Sequence, residues 1–119
     1  MGFTHVKVRI YNPADMSKFD VVELLVDTGA IFTSIPRNVL KKLGLKPLSR
    51  RRLRVYGGAM VERDVGVAVL EYEGNRAGAP VIFGEPEDTV LLGATSLEAL
   101  GYQVDPVTKK LKPTELLMI

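Results

Sequence analysis

Leu24-Leu25-Val26-Asp27-Thr28-Gly29-Ala30 is the stretch that decides how this chain is read. Val21 to Val26 is rich in β-branched and apolar residues and nearly continuous in hydrophobicity, which predicts a strand buried on both faces. The strand stops at a carboxylate. Charged groups are rarely set beside buried strands without a compensating role. The residues that follow, Thr28, Gly29 and Ala30, are small. They let backbone amides reach the Asp27 carboxylate and let another molecule approach it. Asp-Thr-Gly alone is also an ordinary turn, so its surroundings have to decide between the two readings.

Outward from this stretch, short strands dominate. Val6, Val8 and Ile10 alternate with His5, Lys7 and Arg9, the period of a half-buried strand. Asn12-Pro13 is expected to open a polar connection running to Asp20. Ile31 to Ile35 predicts a short third strand, and Pro36 to Leu43 a short helix with proline at its first position and Gly44 past its end. Leu53 to Tyr56 and Ala59 to Glu62 flank Gly57-Gly58, a hairpin signal. Val65, Val67 and Val69 alternate toward Tyr72, and Gly74-Asn75 marks a turn. Val81 to Phe83 and Val90 to Leu92 predict two further strands. Thr95-Ser96-Leu97-Glu98 reads as a capping box for a helix that Gly101 ends. Tyr102 to Asp105 and Lys109 to Lys112 predict a last hairpin, and Leu116 to Ile119 an apolar tail. Closely spaced short strands make the class mostly β, a barrel or sandwich with one or two short helices.

The 119 residues are expected to form a single domain. With 46% hydrophobic and 25% charged residues the composition is that of a globular protein. No apolar run approaches the roughly 18 residues that cross a membrane. No leader pattern is evident, and a cytoplasmic location is the expectation. The absence of cysteine rules out disulfides and thiol chemistry. The net charge of +2 is too small to imply a polyanionic partner. Lys46, Arg50, Arg51, Arg52 and Arg54 do cluster, and a strand edge protected by charge explains them better than a nucleic-acid patch without interleaved aromatics. His5, the single histidine, falls on the polar face of its strand. No metal-ligand spacing or phosphate-binding loop occurs, so neither metal nor cofactor is expected. Nucleophilic serine or cysteine hydrolysis lacks a histidine partner.

The run from Leu24 to Ala30 resembles the active-site strand and loop of aspartic peptidases of the retropepsin and pepsin group. Thr33-Ser34-Ile35-Pro36 and Leu40 to Gly44 resemble the segment that follows it in single-domain microbial relatives. A second signature, Val90-Leu91-Leu92-Gly93-Ala94 with Leu97, Leu100-Gly101-Tyr102 and Val104-Asp105-Pro106, resembles the strand and helix that pack behind that loop. About 65 residues separate Asp27 from Gly93, which fits one retropepsin subunit. The resemblance covers roughly Val6 to Pro113 and implies a closed β-barrel of the acid-protease half-domain type.

The implied chemistry needs paired carboxylates, one ionised to take a proton from water and one protonated to support the carbonyl oxygen. This chain has one Asp-Thr-Gly, so the resemblance implies a homodimer in which Asp27 meets its own image. It further implies that Thr28 bonds across the dimer axis, that Gly29 orients the carboxylate and that Ala30 faces the cleft. Val55, Tyr56, Gly57, Gly58 and Ala59 would form a flap over an extended polypeptide substrate, and Thr89, Val90 and Leu91 would line side-chain pockets. Ile31, Phe32 and Ala94 depart from the retroviral pattern, which has acidic residues at the first two positions and an arginine at the third. A dimeric peptide-binding module of the same fold without turnover is the alternative function.

Overall fold

The computed structural model describes residues 3–118. Strands β1 (His5–Asn12) and β2 (Asp15–Val26) form an antiparallel hairpin. The connection expected from Asn12 to Asp20 is therefore mostly strand. The Asn12 side chain explains the tight turn: its Oδ1 accepts from the Ala14 amide at 2.8 Å while its Nδ2 donates to the Leu43 carbonyl at 2.9 Å. Beyond the turn, Phe19 pairs with Tyr11 across the strands and lies under the Arg9 guanidinium, so cross-strand packing extends β2 where local polarity suggested a loop.

β3 (Thr33–Pro36) leads into helix α1 (Arg37–Lys42), and a hairpin follows from β4 (Ser49–Arg54) and β5 (Met60–Tyr72). β6 (Asn75–Gly84) pairs with β5 along most of its length, turning at Glu73 and Gly74. β7 (Leu91–Leu92), α2 (Ala94–Leu100), β8 (Tyr102–Val104) and β9 (Leu111–Pro113) complete the described chain. β8 and β9 form the expected last hairpin. Ile119, the end of the apolar tail, lies outside the described residues.

The large sheet runs β1-β2-β7-β3-β6-β5-β4, and β5 returns to pair with β1. The class is mostly β, as expected, and the sheet is ring-like. Two of its links are short: β2 meets β7 in parallel over Leu25–Leu91 and Val26–Leu92, and β3 meets β7 at Ser34–Leu91. Phe83, Ile10, Leu24, Ile35, Leu40, Leu70, Leu92, Val8 and Val81 are fully buried within the ring. A curved sheet has only one inner face, and that corrects the expectation for Val21 to Val26: Leu24 is buried whereas Val21 is 50% exposed.

β4 is the edge strand. It carries Arg50, Arg51, Arg52 and Arg54, and charge along an unpaired edge opposes further strand addition. Arg50 is bonded to Glu62 and Asp64 of the neighbouring strand.

The one-sided burial of β2 is open to a direct test. Leu24→Ala is expected to cost about 2–5 kcal/mol in urea denaturation, and Val21→Ala less than about 0.5 kcal/mol.

Candidate active site

Asp27 follows β2 directly, and its amide donates to the Leu92 carbonyl at 3.0 Å. One residue pair earlier, the Leu25 amide donates to Val90 O at 3.1 Å. β7 thus holds the end of β2 and sets where the carboxylate begins. The Gly29 amide donates to Asp27 Oδ1 at 2.9 Å, and the Ala30 amide to the Asp27 carbonyl at 3.2 Å. A methyl group on Gly29 would lie 3.3 Å from that same Oδ1, so the residue's smallness keeps the carboxylate unobstructed. Asp27 and Ala30 are half-buried, and Thr28 and Gly29 are exposed.

The loop after Ala30 is fixed from below by α2. The amides of Ala94 and Thr95 donate to the carbonyls of Ala30 at 2.7 Å and Ile31 at 3.1 Å. These are amides of the first helical turn, which have no partner inside the helix. The Asp27 loop caps the helix with its backbone, and the Thr95 capping box is not used. Gly93 is the N-cap, without a side-chain hydrogen bond. The use of Ala30 and Ile31 carbonyls in this way also delays β3 to Thr33 rather than Ile31. Gly101 ends the helix as expected, at φ 85°.

Gly93 is required here by space. A Cβ would sit 2.4 Å from the Phe32 carbonyl oxygen and 2.8 Å from that of Ile31. Its amide donates to Thr33 Oγ1 at 3.0 Å, and Thr33 Oγ1 shares a 2.6 Å hydrogen bond with Ser96 Oγ. Thr33 and Ser96 are buried, and the pair ties the strand after the loop to the helix behind it. Sequence reasoning quoted both residues without giving them this role. Each stands next to a second hydroxyl residue, Ser34 or Thr95, so the sequence alone does not single them out.

The hairpin over the glycines forms as expected. Val55 and Ala59 are bonded through the Val55 amide at 2.9 Å, and the Gly58 amide returns to Val55 O at 3.0 Å. Gly57 and Gly58 have φ of 98° and 93°, backbone that glycine adopts without steric cost. Arg54 Nη1 donates to Gly58 O at 3.0 Å. Tyr56 is wholly exposed at the tip.

Thr89 is exposed, and Val90 and Leu91 are half-buried. Leu91 lies beside the end of β2. Val90 instead lines a groove of about 490 Å³ with Ser34, Pro36, Arg37 and Lys41, which does not include Asp27. Just before Thr89, Asp88 accepts from Arg63 Nε at 2.7 Å and Nη2 at 2.9 Å, and from the Glu85 amide at 2.8 Å. This bidentate pair joins the base of the β4–β5 hairpin to the segment leading into β7. The Arg63 guanidinium holds the Asp88 carboxyl below the usual carboxylate range.

Among the described residues no group of three or more His, Cys, Asp or Glu could hold a metal ion. No helix among the described residues is long and apolar enough to cross a membrane.

The family model described as "gag-polyprotein putative aspartyl protease" matches residues 18–99, and the chain belongs to that family. The solution structure of Simian Foamy Virus (mac) protease is similar with a TM-score of 0.56 and 19% identity, covering 80% of this chain and 92% of that one. At that identity the likeness is one of fold. Among curated proteins no sequence matches.

Two outcomes follow from the site's construction. Gly93→Ala is expected to cost about 3 kcal/mol or more, because the clashing atoms are backbone. Gly78→Ala, with nothing within 4 Å of the added methyl, serves as the neutral control in the same denaturation series. For Asp88 the folded-state pKa is depressed, so its contribution is present above the unfolded value of about 3.9 and is lost as pH falls through the folded value. Asp88→Asn is expected to lower stability by about 1–2 kcal/mol at neutral pH. It should also flatten the acid limb of a Tm-against-pH curve; an unchanged acid limb would contradict the pairing.

Proposed function

We propose that the chain is an aspartic endopeptidase that works as a homodimer on polypeptides. The observation that carries this reading is the Asp27-Thr28-Gly29 loop itself, in a chain of the aspartyl protease family. Oδ1 is oriented by the Gly29 amide, and the carboxylate is only half-buried in the single chain. One carboxylate cannot serve as both base and acid on the same water and carbonyl. A second copy supplies the other, the two Asp27 side chains sharing one proton across a twofold axis.

Exposed apolar side chains beside the loop support association. Phe3 is 74% and Ile31 67% exposed. The Val26 amide bonds to the Thr4 carbonyl at 2.8 Å, which brings the N-terminal segment alongside the end of β2. Leu116, Leu117 and Met118 are exposed as well and are not in a strand of the single chain, which leaves them free to pair with a partner.

In this proposal the ionised Asp27 removes a proton from water, and the protonated one donates to the carbonyl oxygen as the tetrahedral diol forms. Thr28, exposed at the loop's outer edge, bonds across the axis. The Gly29 carbonyl accepts from a substrate amide, and Ala30 borders the cleft. Val55 to Ala59 close over the substrate as a flap. Thr89 and Leu91 line side-chain pockets, with Val90 supporting them from the α1 side.

The test is cleavage of apolar peptides from about pH 3 to about pH 8 by wild type and Asp27→Asn. The wild type should show a bell-shaped profile on the acidic side of neutrality. The variant should lose about a thousandfold or more in turnover while remaining folded. Sedimentation equilibrium should give about twice 13.1 kDa. Equal rates for the two proteins, or full activity in a monomer, would reject the mechanism. Peptide binding without turnover by the wild type would favour a binding module.

A further inference from the structure

The inner face of the β4–β5 hairpin carries an arginine with no acid to answer it. Arg51 pairs in register with Arg63, and Leu53 with Val61. Directly opposed residues of antiparallel strands share a face, so these four side chains look the same way. Arg63 reaches Asp88, beside the Thr89–Leu91 segment. Arg51 reaches Phe32, in the loop that begins at Asp27, with its guanidinium 5.4 Å from the ring centroid. This face of the hairpin therefore looks toward the active-site loop and the segment before β7.

The two arginines differ in what they have left to offer. Arg63 is committed to Asp88 and also lies 3.9 Å from Glu87. The Arg51 side chain makes no hydrogen bond or ion pair to the described residues, and the residue is exposed. Its contact with the Phe32 ring, 5.4 Å from guanidinium carbon to centroid, takes up none of its N–H donors in a hydrogen bond. The N–H donors around the edge stay available, in a fork that matches a carboxylate. The backbone that carries Phe32 is held, because the Phe32 carbonyl lies against Gly93 and the neighbouring Ile31 carbonyl is bonded to Thr95. A cation already resting on an aromatic ring has less orientation to lose when an anion arrives.

We infer that Arg51 on Phe32 forms a carboxylate subsite of the cleft, selecting polypeptides that carry Asp or Glu away from the scissile bond. This rests on the peptidase reading for its place in catalysis, but the subsite itself is a matter of binding.

The experiment uses end-blocked peptides, so that the only varied carboxylate is a side chain. Glu and Gln are compared at each position in turn. Binding is measured by fluorescence anisotropy on the Asp27→Asn protein, and kcat/KM on the wild type. At one position or more, Glu should be favoured roughly fivefold, the upper range for a solvent-exposed ion pair. Arg51→Gln should remove the preference, and Arg51→Glu should turn it toward Lys. Arg51→Met, which keeps the apolar stem over Phe32, controls for lost packing, and circular dichroism confirms the fold. Equal binding of Glu and Gln peptides at every position overturns the inference. So does a preference that survives Arg51→Gln, or a failure of every peptide to bind. Glu-selective binding without wild-type turnover supports the subsite and rejects the peptidase. Turnover without Glu selectivity does the reverse.

Discussion

The contact between Gly93 and the Phe32 carbonyl is the constraint on which the rest of the molecule depends. It lets the strand–helix unit of β7 and α2 lie directly against the Asp27 loop, with no side chain between them. Only at that separation can the Ala94 and Thr95 amides reach the carbonyls of Ala30 and Ile31, and the Gly93 amide reach Thr33 Oγ1. The same approach brings Leu92 O to the Asp27 amide. Of these groups the Gly93 amide, the Thr33 hydroxyl and the Leu92 carbonyl belong to buried residues, where an unmade bond would cost about 1–3 kcal/mol. A larger residue at position 93 would disturb them together, since they share one geometry.

The arrangement also connects fold to chemistry. The loop's conformation is completed by bonds within one chain, so the carboxylate is placed before any partner arrives. On the proposed reading, association then has one task, to supply the second acid, and no refolding of the loop is needed. Preorganisation of this kind places the cost of ordering the site in folding rather than in binding or catalysis. The β4–β5 hairpin is different. Its tip is exposed and glycine-rich, but its base is tied to the segment before β7 by Arg63 and Asp88. On the proposed reading, an exposed glycine-rich tip on an anchored base suits a segment that opens and closes over a ligand.

Much of this was legible in the sequence. The apolar run ending at Asp27, the paired glycines at 57 and 58, and the stop at Gly101 each carry a local signal that tertiary structure does not override. The arginine run was read as edge protection, and β4 is the edge strand. Most of what sequence reasoning missed depended on partners outside the segment itself. Asp15 to Asp20 looked like loop because of its polarity, yet the tight turn at Asn12 folds it back to pair with β1. The two-faced burial expected for Val21 to Val26 ignored that a ring-like sheet turns one face of each strand outward. The capping box at Thr95 was locally plausible, but the loop at Ala30 and Ile31 supplies the caps from more than 60 residues away.

The distribution of arginines follows from the same long-range geometry. Arg37, Arg50, Arg63 and Arg76 each meet a carboxylate, and in every case that carboxylate comes from another strand or loop. Composition alone counts a basic surplus of two charges over the whole chain. The fold pairs these four arginines with carboxylates and leaves Arg51 beside the Phe32 ring without one. Net charge therefore says little about the local field around Phe32. That field is set by which cations the strand register leaves without partners, and there Arg51 faces another arginine, Arg63, across β4 and β5.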